Sequence, residues 1–146
     1  MGFDLPTGLL RGGRFDAWRP AVPAYLVADV DGTLVGPAAE ASAGVVAAAR
    51  RAAEAGLAIG FSTGRMRLAV EPLWEQLRLP GPHVLHNGAE VRAGGVTVEA
   101  WPLSTDELDA VLRVARDLGV YAEVYVPDGY HVTAMDERAR PHWELL

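Results

Sequence analysis

The chain contains no cysteine and no lysine. The absence of cysteine excludes disulfides, thiolate-bound zinc, iron–sulfur clusters and a thiol nucleophile, and it fits a reducing compartment. All 13 basic residues are arginine, so a P-loop lysine and Schiff-base chemistry are excluded as well. Positive charge is scarce overall: 19 acidic residues give a net charge of −6, which argues against a nucleic-acid partner. No apolar run reaches the length of a membrane-spanning helix. The opening segment, MGFDLPTGLLRGGRFDAWRPAVP, lacks the basic start and apolar core of a signal peptide. Residues 1–23 are therefore expected to be a flexible leader of a cytoplasmic protein without a membrane partner. The glycine-rich segments match neither a dinucleotide nor a P-loop fingerprint, and His83, His86, His131 and His142 show no metal-ligand spacing.

What is present is apolar material in an alternating order. The chain has 146 residues, 50% of them hydrophobic and 22% charged, enough for one domain with a buried core. Residues 24–28 (AYLVA) and 57–61 (LAIGF) read as buried parallel strands. Between them an alanine-rich stretch, residues 40–55, predicts a helix stopped by Gly56. A second helix is expected over residues 66–79, with a kink or late start at Pro72, and a third strand over residues 83–85. This βαβαβ order implies a parallel sheet with right-handed crossovers.

The pattern changes near Val91. Residues 91–93 and 96–101 flank Gly94-Gly95, a hairpin signature. Ser104 and Glu107 form a capping box for a helix carrying Leu108, Val111, Leu112, Ala115 and Leu118 on one face and ending at Gly119. Residues 120–126 and 130–133 flank Pro127-Asp128-Gly129 as strand, turn and strand. Trp74 and Trp101 read as core or interface residues.

Three strand ends carry unusual polar content: Asp29-Val30-Asp31-Gly32-Thr33, Ser62-Thr63-Gly64-Arg65 and His86-Asn87-Gly88. In an open α/β sheet such clusters meet beyond the carboxyl ends of the strands, where ligands bind. Residues i and i+2 of an extended segment face one side, roughly 7 Å apart, so Asp29 and Asp31 project together. Two close carboxylates need a cation or a shared proton, and Mg²⁺ prefers carboxylate, water and phosphate oxygens. One carboxylate can attack phosphorus while the other moves the proton. Gly32 permits the sharp turn and the Thr33 hydroxyl can fix it. Thr63, with the backbone of Gly64, suits a phosphate at a helix N-terminus. Arg65 holds either that phosphate or the loop. Asn87 either bonds substrate or stabilises a tight turn.

In order, these segments resemble the haloacid dehalogenase superfamily. Asp29-Val30-Asp31-Gly32-Thr33-Leu34 resembles its motif I, Ser62-Thr63-Gly64-Arg65 the motif II region of the Cof-type, class IIB branch, and His86-Asn87-Gly88-Ala89-Glu90 the segment that precedes the cap in that branch. The likeness runs from about Tyr25 to Thr133. It implies a HAD-like Rossmannoid α/β core over residues 24–90, with the start of an α+β, C2-type cap over residues 91–146. It also implies a Mg²⁺-dependent phosphatase acting on small phosphate monoesters, typically sugar phosphates, as in sucrose-phosphate-phosphatase-like members. By position, Asp29 is the nucleophile and a Mg²⁺ ligand. Asp31 is the general acid/base and binds Mg²⁺ through its backbone carbonyl. Gly32, Thr33, Thr63, Gly64 and Arg65 surround the phosphoryl group, and Asn87 meets the substrate.

The departures concern the family's later motifs. The motif III lysine has no counterpart here, and no Gly-Asp pair of motif IV type follows Thr133. The chain therefore reads as the N-terminal portion of such an enzyme, with a missing C-terminal half or self-association as the expected partnership. Marginal stability and little activity alone are expected. The alternatives are a non-catalytic remnant of the same family and a phosphotransferase of mutase type.

Overall fold

The computed structural model describes residues 25–37, 40–79 and 81–140. The leader expected over residues 1–23 lies outside the described residues. The first half has strand β1 (Tyr25–Ala28), helix α1 (Ala43–Glu54), strand β2 (Ala58–Phe61), helix α2 (Arg67–Leu77) and strand β3 (His83–Leu85). β1 and β2 pair in parallel, from Tyr25 opposite Ala58 to Ala28 opposite Phe61. A parallel bridge between Ser62 and Val84 sets β3 on the far side of β2. The expected parallel βαβαβ arrangement is thus formed.

Both helices follow from local chemistry. The Ser42 hydroxyl accepts the Val45 N–H at 3.3 Å, so α1 starts later than the alanine run alone predicts. Gly56, at φ +82°, ends it in the left-handed region, where a side chain would be strained. α2 turns Val70, Leu73 and Leu77 inward. It runs through Pro72 without ending, because its apolar face is anchored on both sides of the proline. These side chains join Val30, Val35, Ile59, Phe61, Leu79 and Leu85 in one core.

One expectation needs correcting. β1 reads as a buried strand, yet Tyr25, Leu26 and Val27 are 41%, 48% and 46% exposed. The physical reason is its neighbours. Among the described residues only β2 pairs with it, and a strand is buried by what lies beside and over it.

The second half continues with strands β4 (Glu90–Ala93) and β5 (Val96–Ala100), helix α3 (Thr105–Asp117), and strands β6 (Glu123–Val126) and β7 (Gly129–Val132). β4 pairs antiparallel with both β3 and β5, so the hairpin grows directly from the third core strand. β6 and β7 form a separate antiparallel hairpin. The capping box forms as read: the Ser104 hydroxyl accepts the Glu107 N–H at 3.3 Å and Glu107 accepts the Ser104 N–H at 2.8 Å. Only Ala115 of the expected α3 stripe is buried, while Val111 and Leu118 are exposed. Trp101 is 58% exposed, so it is not a core residue.

Candidate active site

The site starts from a tight loop after β1. The Val30 carbonyl accepts the N–H groups of Thr33, Leu34 and Val35 at 3.3, 3.0 and 3.0 Å, and Gly32 N–H returns to the Val35 carbonyl at 2.9 Å. Gly32 sits at φ +75°, a conformation costly for any residue with a Cβ. Val30 is fully buried. Asp29 and Asp31, on either side of it, are exposed, as alternation along an extended chain requires. Within the loop, among the described residues, these ties run from backbone to backbone. Among the described residues no hydrogen bond engages the Thr33 hydroxyl, and none engages the Asp29 carboxylate.

The second loop meets the first through a charged pair. Arg65 donates from Nε to Asp31 Oδ2 at 2.9 Å and from Nη2 to Oδ1 at 2.5 Å, a bidentate fork. Its Nη1 donates to the Ala69 carbonyl at 3.3 Å. Thr63 is buried. It is fixed by its N–H to the Val84 carbonyl at 3.0 Å, and its hydroxyl accepts the Arg65 N–H at 3.2 Å. That hydroxyl keeps its own proton to donate. The N-cap of α2 is Met66, which offers no side-chain acceptor, so the first turn of α2 has no side-chain cap.

The third cluster closes onto the second. Asn87 N–H donates to the Thr63 carbonyl at 3.1 Å and His86 N–H to the Arg65 carbonyl at 3.2 Å. A Cβ on Gly64 would stand 3.0 Å from Asn87 Oδ1, so glycine lets the Asn87 amide lie close over this loop. His86 and Asn87 have φ of +51° and +55°. Two successive non-glycine residues in the left-handed region store strain of the kind that accompanies functional loops. The structure therefore brings together all three strand-end clusters.

Beside these loops lies a cavity of about 840 Å³ between the α2 start, β4, β5 and the β6–β7 turn. Of the candidates read from the sequence, Gly64 and Asn87 line it. Asp29, Asp31, Gly32, Thr33, Thr63 and Arg65 do not. Sequence reasoning missed Glu90, Arg92 and Tyr125 in its wall. Burial raises the Glu90 carboxyl, but hydrogen bonds from Thr97 and Arg92 and the nearby Arg92 and His86 charges outweigh it and hold it below the usual carboxylate range. Burial lowers His86, with the Glu90 charge offsetting part of the effect.

The described residues thus join a parallel α/β core with an acidic β1 end and a Thr-Gly-Arg loop to an α+β unit. A model of the haloacid dehalogenase-like hydrolase family matches residues 26–143, and the chain belongs to that family. It is 29% identical over 133 residues to the HMP-PP phosphatase of Serratia proteamaculans (strain 568), covering 77% of this chain and 48% of that relative. It thus spans about half the length of the curated relative it matches. Among solved structures, a haloacid dehalogenase-like hydrolase from B. subtilis superposes with a TM-score of 0.73 at 21% identity, over 81% of this chain and 42% of that one. A HAD subclass IIB sugar phosphatase superposes with a TM-score of 0.70 at 22% identity, over 85% and 49%. These likenesses bear out the HAD-like α/β fold. No helix among the described residues is long and apolar enough to cross a membrane.

Proposed function

We propose that this chain carries the nucleophile-bearing part of a cytoplasmic hydrolase of small phosphate monoesters. The observation that supports this best is the Asp31–Arg65 fork, which draws the ends of β1 and β2 together beside Thr63. In the first step an Asp29 oxygen attacks phosphorus, the ester P–O bond breaks, and Asp31 gives a proton to the departing oxygen. In the second step Asp31 takes a proton from water, the water oxygen attacks phosphorus, the bond from phosphorus to the Asp29 oxygen breaks, and inorganic phosphate leaves. Both Asp31 oxygens are engaged by Arg65, so the fork opens before Asp31 reaches the ester oxygen. Thr63, the Gly64 backbone and the released Arg65 then face the phosphoryl oxygens. Gly32 and Thr33 shape the loop that presents Asp29. Asn87 orients the substrate at the border of the cavity.

Mg²⁺ fits the donor set. It typically takes one or two carboxylates together with phosphate oxygens and water; the Asp29 carboxylate and the Asp31 backbone carbonyl would hold it. Among the described residues no third histidine, aspartate or glutamate joins them. When bound, the ion would neutralise charge between phosphate and Asp29. Sugar phosphates are the substrates that the resemblance implies.

Where catalysis survives, in this chain or when it is completed by a C-terminal half, Asp29→Asn is expected to lower phosphate release from monoesters by about three orders of magnitude or more, as loss of a nucleophile does. Unchanged release in a clean preparation would overturn the assignment. A second reading, a chain that binds phosphate without turnover, is favoured by the absence of lysine and by the engagement of both Asp31 oxygens. It predicts Thr63-dependent binding of inorganic phosphate with no Asp29-dependent release.

A further inference from the structure

Along β2 and the loop after it, the backbone groups of alternate residues point the same way, towards β3. The Ile59 carbonyl accepts the Gly81 N–H at 3.1 Å, and the Thr63 N–H donates to the Val84 carbonyl at 3.0 Å. Between them the Phe61 N–H donates to His83 Nδ1 at 3.2 Å, a side-chain acceptor in a row where a ladder has carbonyls. The neighbouring Pro82 has no N–H, and its carbonyl accepts the Tyr25 hydroxyl. The His83 ring is therefore a rung of the sheet, placed just ahead of Thr63 on β2's side of the seam.

The ring is held for that task. It is fully buried, with its centre 4.9 Å from that of Phe61 and 4.1 Å from that of Trp74. A Cβ on Gly81 would stand 2.8 Å from its Cδ2, so glycine makes room for it. With Nδ1 accepting, the neutral ring carries its proton on Nε2. A second proton, on Nδ1, would set one N–H against another, and burial disfavours the charged ring. Among the described residues no facing charge relieves this. Arg92, opposite His83 in the β3–β4 register, is itself a cation, ion-paired with Glu90 at 2.9 Å. On α2, Glu75 and Arg78 are exposed and Glu71 pairs with Arg67. β2 has no titratable side chain, and on β1 the nearest is Tyr25 at Pro82.

We propose that His83 is a positioning residue for the loop at Thr63. As a neutral imidazole it fixes Phe61, and through Phe61 the Thr63 hydroxyl and the Gly64 backbone. On taking a second proton it breaks the Phe61 bond, and the loop loses its grip on a tetrahedral oxyanion. The proposal rests on the phosphatase reading only for what Thr63 binds.

Amide NMR of the whole chain across pH tests it. Inorganic sulfate is the probe, because it keeps its double negative charge through the range in which histidine titrates. The Phe61, Thr63 and Gly64 amides are expected to move with the His83 ring in one transition. Sulfate should bind about five-fold more weakly below that transition than above it. A proton on His86 has the opposite effect, since it adds positive charge beside the same loop and tightens sulfate. His83→Asn keeps an acceptor for the Phe61 N–H. It should hold the neutral-pH sulfate affinity within about two-fold and abolish the weakening. His83→Phe fills the space of the ring without an acceptor and should weaken sulfate at every pH. If that variant does not fold, the wild-type and His83→Asn titrations decide alone. Three results overturn the proposal: Thr63 and Gly64 amides that ignore the His83 transition, wild-type sulfate affinity that does not fall through it, or an equal fall in His83→Asn. Amides that follow His83 in a chain that binds no sulfate at any pH uphold the positioning role and sink the reading of Thr63 as a phosphoryl ligand.

Discussion

From Val30 to Leu85, eleven buried side chains form a single cluster. From Glu90 to Val132 only Ala115 is buried, although both regions contain apolar helical stripes and β-branched strands. The second region is held by short-range polar bonds: Arg92 and Thr97 on Glu90, Ser104 with Glu107, and Tyr121 and Tyr125 on Glu123 at 2.5 and 2.7 Å. The partners in each set lie within seven residues of one another. The first region is thus ordered by burial between distant segments and the second by local hydrogen bonding. The same division runs through the proposed site: the buried region carries Asp29 and Asp31, while the cavity wall comes mostly from the less buried region.

The sharpest way to break this contrast is a matched pair of truncations. Phe61 is fully buried, and Phe61→Ala is expected to cost about 3–5 kcal/mol, transfer and cavity terms together. Val114 on α3 is 57% exposed, and Val114→Ala should stay within about 0.5 kcal/mol. Urea denaturation of the two variants gives both numbers. Equal losses would mean that α3 is covered in solution by something the described residues do not show.

A smaller effect is expected from the cap of α3. Ser104→Ala removes the hydroxyl that accepts the Glu107 N–H and should cost about 1 kcal/mol. Because the second region is locally held, the loss should appear as faster hydrogen exchange across Thr105–Asp117 while β2 and α2 keep their protection. Uniformly faster exchange through both regions would show instead that they unfold as one unit.

What was legible in the sequence follows the same line. Gly56, the Ser104–Glu107 box and Gly94-Gly95 act through neighbours only a few residues away, so the helix ends and the first hairpin could be read directly. The exposure of Tyr25, Leu26 and Val27 could not be read, because it depends on what pairs with β1 rather than on its composition. The three polar strand ends were legible as a converging set from topology. The partnership of Arg65 with Asp31, 34 residues apart, was not, since spacing carries no signal at that range. The cavity was missed for the same reason: its wall joins Gly64 to a turn more than sixty residues later. The tight turn at Asn87 was legible in the Asn-Gly pair, because asparagine tolerates the left-handed region, whereas the same conformation at His86 was not read.

The smallest expected effect is one of pH, and it can titrate the two regions separately. His83 is fully buried, with the Phe61 N–H donating to its Nδ1 at 3.2 Å. Its ring centre lies 4.9 Å from Phe61 and 4.1 Å from Trp74. A second proton would break that bond and charge the core, so burial lowers the His83 pKa below 6.5, with the Leu79 backbone offsetting part of the shift. The unfolded chain therefore binds this proton first, and stability falls as pH drops below 6.5 towards the folded value. Burial lowers His86 as well, and it acts in the same window. Glu90 has the opposite character. Its carboxyl is held below 4.5, so its contribution is present above 4.5 and is lost as pH falls through the folded value. Chemical denaturation across pH should then show one loss beginning near neutrality and another at more acidic pH. His83→Asn, which keeps a hydrogen-bond acceptor, should flatten the first and spare the second. Glu90→Gln should remove the second and, since the Glu90 charge offsets part of the His86 shift, deepen the first. If His83→Asn leaves the first window intact, the proton belongs to His86, and the acid sensitivity lies at the cavity rather than in the core.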